Sequence, residues 1–220
     1  MDPLVRSSVR LSYLVIFIFS GNLTAGELLV TIEDKKQRSV HDTVVELVGI
    51  DTKAGTVNDV EITQLDKEFS PELSVIPRGS SVLFTNNDPF QHHVYSVSKG
   101  NQFDLPLYKE KPAKQIDFDT PGIVKLGCNI HDWMLAFSYV SQSRYISITD
   151  STGKVKFTDL PEGEYQLHVW NPRLKKNKKV ITQPISIEQE QPLEHKVTVS
   201  LRKKIRKPRR IEGSSTYKYD

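Results

Sequence analysis

Cys128, His131 and Met134 recur at three-residue intervals in Gly127-Cys-Asn-Ile-His-Asp-Trp-Met134, a segment lying between two stretches of alternating apolar residues. A loop that short can turn all three side chains toward one point. Thiolate, imidazole and thioether are soft donors, and soft donors select copper over magnesium, calcium or manganese. Thiolate and imidazole also suit zinc, with Asp132 or a water standing in for Met134. Each residue alone has a plainer reading. His131 reads as a loop histidine, Met134 and Trp133 as core packing, and Cys128, the single cysteine of the chain, as a small buried hydrophobe. Their clustering is what argues for a metal.

A trigonal set of two His and one Cys with a weak axial Met is the blue-copper arrangement, so one His must come from another segment. Phe84-Thr-Asn-Asn-Asp-Pro-Phe-Gln-His-His-Val94 offers two adjacent ones. Strand periodicity does not choose between them, because His92 and Val94 would share one face while His93, Tyr95 and Val97 share the other. At this segment the sequence resembles the cupredoxin family. In plastocyanins and their relatives an Asn-rich turn leads into His-Asn-Val, whose His is a copper ligand. The resemblance implies His92 as the ligand, with His93 as the alternative, standing where the family has Asn. The Cys-x-x-His-x-x-Met spacing is similar to that of amicyanins, and Phe69-Ser-Pro-Glu-Leu-Ser-Val-Ile-Pro-Arg-Gly-Ser-Ser-Val82 is similar to the family's second and third strands. Covering about residues 58–140, the resemblance implies a Greek-key β-sandwich that holds one copper ion between His92, Cys128, His131 and Met134.

The elements that must position these residues are strands. Short runs of alternating apolar and polar residues, rich in Val, Ile, Thr, Phe and Tyr, predict strands at 28–33, 43–49, 58–64, 72–76, 80–86, 92–98 and 114–119. Further runs fall at 122–127, 135–140, 145–148, 154–158, 164–170, 181–187 and 194–201. Turn residues separate them, as in Pro77-Arg-Gly79, Asn86-Asn-Asp-Pro89 and Thr120-Pro-Gly122. No helix is predicted, so the expected fold class is all-β, built of antiparallel sandwiches.

Ile148-Thr-Asp-Ser-Thr-Gly-Lys-Val-Lys-Phe-Thr-Asp-Leu-Pro-Glu-Gly-Glu-Tyr-Gln-Leu167 resembles the carboxypeptidase regulatory-like domain, a small prealbumin-type sandwich, and residues 28–47 resemble its first two strands. Two strands alone cannot bury an apolar face. The expected organisation is therefore a cupredoxin domain at 51–140 inserted into a discontinuous sandwich of 27–50 plus 141–201, with a basic tail at 202–220.

Residues 1–26 read as a secretory signal peptide: Arg6 and Arg10 precede the apolar run Leu11–Phe19, and Thr24-Ala-Gly26 follows. The run is short of the roughly 20 residues that cross a bilayer. A periplasmic location is expected, and there an unpaired cysteine calls for a reason. Arg173-Leu-Lys-Lys-Asn-Lys-Lys179 and Arg202-Lys-Lys-Ile-Arg-Lys-Pro-Arg-Arg210 carry five and seven positive residues in a chain of net charge +3, leaving an acidic body with a basic end. His41, His168 and His195 have no clustered donors and read as structural or solvated.

A closed donor set without a separate general base points away from catalysis, so no enzyme is expected. The expected role is one-electron transfer with a redox partner such as a cytochrome c or a dehydrogenase. The alternative is a copper storage, delivery or sensing module with a docking sandwich. The arrangement resembles bacterial methylamine-utilisation cupredoxins, which would imply an amine dehydrogenase. An acidic partner or an anionic membrane surface suits the basic tail, and nucleic acid is not an expected partner.

Overall fold

A computed structural model describes residues 26–49, 52–110, 115–175, 180–188 and 192–203, with the backbone alone of 209–210 and 217–218. Among these residues the chain is all-β without a helix, the fold class expected from the alternation. Residues 1–25 of the expected leader lie outside the described residues, and Gly26 opens the first strand.

The chain begins with β1 (Gly26–Asp34) and β2 (Val44–Gly49). Next come β3 (Val60–Leu65), β4 (Glu68–Ser70), β5 (Leu73–Pro77), β6 (Ser80–Asn86), β7 (His92–Ser98) and β8 (Asn101–Tyr108). These lead to β9 (Ile116–Phe118), β10 (Gly122–Gly127) and β11 (Leu135–Ser141). The remainder comprises β12 (Ile146–Ile148), β13 (Lys154–Leu160), β14 (Gly163–Trp170), β15 (Ile181–Ile187), β16 (Leu193–Val199), β17 (Arg209–Arg210) and β18 (Tyr217–Lys218). β4, β8 and the β17–β18 pair have no counterpart among the strands predicted from alternation. In β8 the interruption is Pro106, which lacks an N–H, and β8 is the edge of its sheet, where a proline is tolerated.

Two sandwiches result, and they are not purely antiparallel as expected, since β3–β6, β5–β11 and β1–β16 pair in parallel, each joining strands that are not consecutive in the chain. In the first, the five-stranded sheet β5-β11-β10-β7-β8 and the four-stranded sheet β4-β3-β6-β9 share one core. Ile62, Val82, Phe84 and Phe118 of the smaller sheet lie fully buried with Ile76, Val94, Val124 and Leu126 of the larger. Each such side chain contributes about 1.5–3 kcal/mol on burial, and this holds the sheets face to face. In the second, β13-β1-β16 and β12-β2-β14-β15 enclose Leu28, Val30, Ile32, Leu47, Leu167 and Ile187. β1 and β2 thus pair with strands that follow the first sandwich in the chain.

The outer faces of the two larger sheets pack against each other. In β2 the run Val44-Val-Glu-Leu47 is buried at every position, so both faces of the strand are covered. Trp170 and His168 pair opposite Val44 and Glu46, and Trp170 lies edge-on to Phe137 at 5.5 Å and near Tyr139 at 6.3 Å between ring centroids. Glu46, 1% exposed, accepts hydrogen bonds from the Tyr139 hydroxyl at 2.9 Å, the Gln142 amide at 2.9 Å and the Ser143 amide at 3.1 Å. Burial, and then the charge of Glu46, push the Tyr139 phenol well above its usual range, so it stays a donor. One carboxylate thereby ties the second sandwich to a strand of the first and to the chain leaving it.

Replacing Glu46 by Ala leaves those three donors unpaired and should destabilise the protein by about 2–3 kcal/mol in urea unfolding. Tyr139→Phe keeps the carboxylate and both amides and should cost less. Equal, near-zero losses would show that water satisfies these groups.

Candidate metal centre

Two loops at the same end of the first sandwich supply the donors. One runs from β6 to β7 and ends on His92; the other, residues 128–134, joins β10 to β11. β10 brings them together, pairing with β11 from Gly122↔Val140 to Gly127↔Leu135 and with β7 at Gly127↔Tyr95. Gly127 leaves room for the Tyr95 ring here, since a Cβ would meet its outer atoms at 2.9–3.0 Å and displace them. Within the second loop the Met134 amide donates to the His131 carbonyl at 3.0 Å, folding the segment back on itself.

His92, Cys128 and His131 each offer one ligand atom, and these atoms lie within 4.8 Å of one another. Cys128 Sγ is 4.0 Å from His131 Nδ1, and the His92 and His131 ring centroids are 5.0 Å apart. His92 is fully buried, Cys128 is 5% exposed, and Met134, 2% exposed, belongs to the same apolar cluster as Cys128. His131 is half-buried between Phe90 at 5.9 Å and Trp133 at 5.3 Å. His93 turns elsewhere: its Nε2 meets Asp104 Oδ1 at 2.9 Å. Of the other histidines, His41 meets Asp42, His168 lies 3.5 Å from Glu46, and His195 meets Gln183.

The hydrogen bonds around His92 divide its two nitrogens. Nε2 lies 2.7 Å from Asp88 Oδ2, while the buried Nδ1 has no nitrogen or oxygen partner and the Cys128 sulfur acts on the ring from that other side. Asp88 also accepts the amides of Asp66 and Lys67, at 2.8 and 2.9 Å. Asn86 shapes the loop that carries both, taking the Asp88 amide on Oδ1 and donating to the carbonyls of Phe90 and Tyr108. Gln64 donates to the His93 carbonyl and accepts the Tyr108 hydroxyl. Sequence reasoning took the Asn-rich segment as a turn and did not single out Asp88. The only signal available was its position four residues before His92.

Electrostatics separates the three donors. Burial alone would raise the Cys128 thiol, but the His92 ring and the backbone N–H groups of His93, Ile130 and His131 outweigh it and hold the thiol below its usual range. Burial would lower His92, yet Cys128 and Asp88 on its two sides push it up. His131 is pulled down, first by burial and then by the positive charges of His92 and Lys67. The site therefore favours a thiolate and a neutral His131, the states in which each binds a metal.

No family model matches the sequence, and no curated protein matches it. Among solved structures the chain is similar to a purple cupredoxin from Nitrosopumilus maritimus. The identity is 24% over 38% of this chain and 100% of that one, with a TM-score of 0.34. It is similar to amicyanin from Paracoccus versutus at 16% identity, covering 44% of this chain and 97% of that one, with a TM-score of 0.33. A copper-containing nitrite reductase from Thermus scotoductus shares 24% identity over 44% of this chain and 25% of its own length, with a TM-score of 0.36.

In the metal-free protein, the ultraviolet absorbance of the Cys128 thiolate should persist to lower pH than for an ordinary thiol, near 8.5. His92→Phe should move the midpoint upward, because the ring that favours the thiolate is gone and burial remains. An unmoved midpoint would remove His92 from the set of groups acting on the sulfur.

Proposed function

We propose that the first sandwich is a cupredoxin-type domain that holds one copper ion between His92, Cys128, His131 and Met134 and passes single electrons to and from a partner. The observation that carries this reading is the convergence of one ligand atom each from His92, Cys128 and His131 to within 4.8 Å of one another, with the thiol held low and His131 held neutral. Two imidazoles, a thiolate and a thioether suit copper, which when bound there would exchange one electron between Cu(I) and Cu(II).

The chain's own residues do the remaining work. Backbone N–H groups toward Cys128 hold the sulfur as thiolate, and the Asp88 contact holds the His92 ring in place. Phe90 and Trp133 wall His131 on two sides and leave it half-buried, which makes its edge the route for electrons. Export to the periplasm, a cytochrome c or dehydrogenase as redox partner, and docking of the basic end on an acidic surface or anionic membrane belong to the same proposal. They rest on the leader pattern and on the basic runs. The second sandwich, with its resemblance to carboxypeptidase regulatory-like domains, would be the docking body.

Adding Cu(II) to the metal-free protein should produce an intense visible thiolate-to-copper band. Cys128→Ser and His92→Ala should each abolish it, whereas His93→Ala should retain it with a modest shift, since that ring is directed to Asp104. A band that survives Cys128→Ser, or zinc binding with no copper colour, would overturn the assignment. The loaded protein should cycle between its two redox states without losing metal to a Cu(I) chelator; ready loss would mark a delivery module.

A further inference from the structure

We propose that Asp88 is a positioning residue for the copper centre proposed above, fixing His92 with Nδ1 free for metal and biasing the centre toward its oxidised state. The inference rests on that reading of the site and adds a determinant of its potential.

Asp88 and His92 are buried together, with side chains 5% and 0% exposed. The carboxylate is held by donors on both oxygens. Oδ1 takes the Asp66 amide, and Oδ2 takes the Lys67 amide and faces His92 Nε2. The two amides come from the turn joining β3 to β4, where Asp66 and Lys67 both have positive φ, 53° and 59°. This is the backbone of a two-residue hairpin turn whose twist matches its strands. The turn presents successive N–H groups to the carboxylate, so the orientation of Asp88 is set before any metal arrives.

Two consequences follow from this geometry. An acceptor fixed against Nε2 requires the proton on that nitrogen, so neutral His92 keeps its lone pair on Nδ1, on the side of the ring toward Cys128. A full negative charge one imidazole away from the ion, shielded from solvent, stabilises the more highly charged oxidation state more than the lower one. Capping the β3–β4 turn is also a role of Asp88, but that role alone would leave the redox balance untouched.

The test compares wild-type protein with Asp88→Asn, which removes the charge and keeps the shape. Cu(II) affinity should fall by about 10–100-fold, the usual effect of losing such a partner, and Cu(I) affinity should fall less. Each tenfold change in their ratio raises the reduction potential by about 59 mV. An equal fall in both affinities at an unchanged potential would assign Asp88 to structure alone and overturn the proposal. If the variant does not fold, Cu(I)-loaded wild-type protein still decides. Its His92 Nε2 proton should be downfield in NMR spectra and slow to exchange with solvent, and a fast-exchanging proton would sink the idea. Absence of the thiolate-to-copper band in wild-type protein would instead refute the copper reading itself, while a band in both proteins at equal potential would refute only the role of Asp88.

Discussion

The register that sets Gly127 opposite both Tyr95 and Leu135 governs where the donors of the site fall. Side chains alternate across a sheet, so a slip of one residue in β7 would turn His92 outward and His93 inward. The Tyr95 ring lies over the bare backbone of Gly127, where a side chain at position 127 would have to displace it. With the register held, Cys128 follows Gly127 off the end of β10, His92 begins β7, and the two loops meet.

Polar groups at that end of the sandwich form one connected set. Asn86 closes the loop before His92, Gln64 supports the bulge at His93, and Tyr108 links them. In so dry a place, an unmatched group would cost about as much as a lost hydrogen bond. The loop is thus rigid because of its backbone and amide bonds, independently of whatever the histidines bind.

The loop that brings Cys128 and His131 together was legible in the sequence because the two are only three residues apart, so spacing alone implied their convergence. The first histidine was less legible: period-two alternation treats His92 and His93 alike, and what separates them is the partner each meets, Asp88 or Asp104. Asp88 was illegible for a related reason. An acidic residue between Asn and Pro looks like turn chemistry, and its burial depends on the amides of Asp66 and Lys67, brought over from another strand pair. β8 was hidden by Pro106, whereas β2 was found through its β-branched residues. That Glu46 would be buried could not be read from β2 alone, because both faces of the strand are covered by segments distant in sequence.

The contact through Glu46 has a mechanical meaning. It grips both a strand of the first sandwich and the amides of Gln142 and Ser143, where the chain passes into the second, at the place a hinge would occupy. A carboxylate bound on both sides of that junction opposes rotation of one sandwich against the other about it.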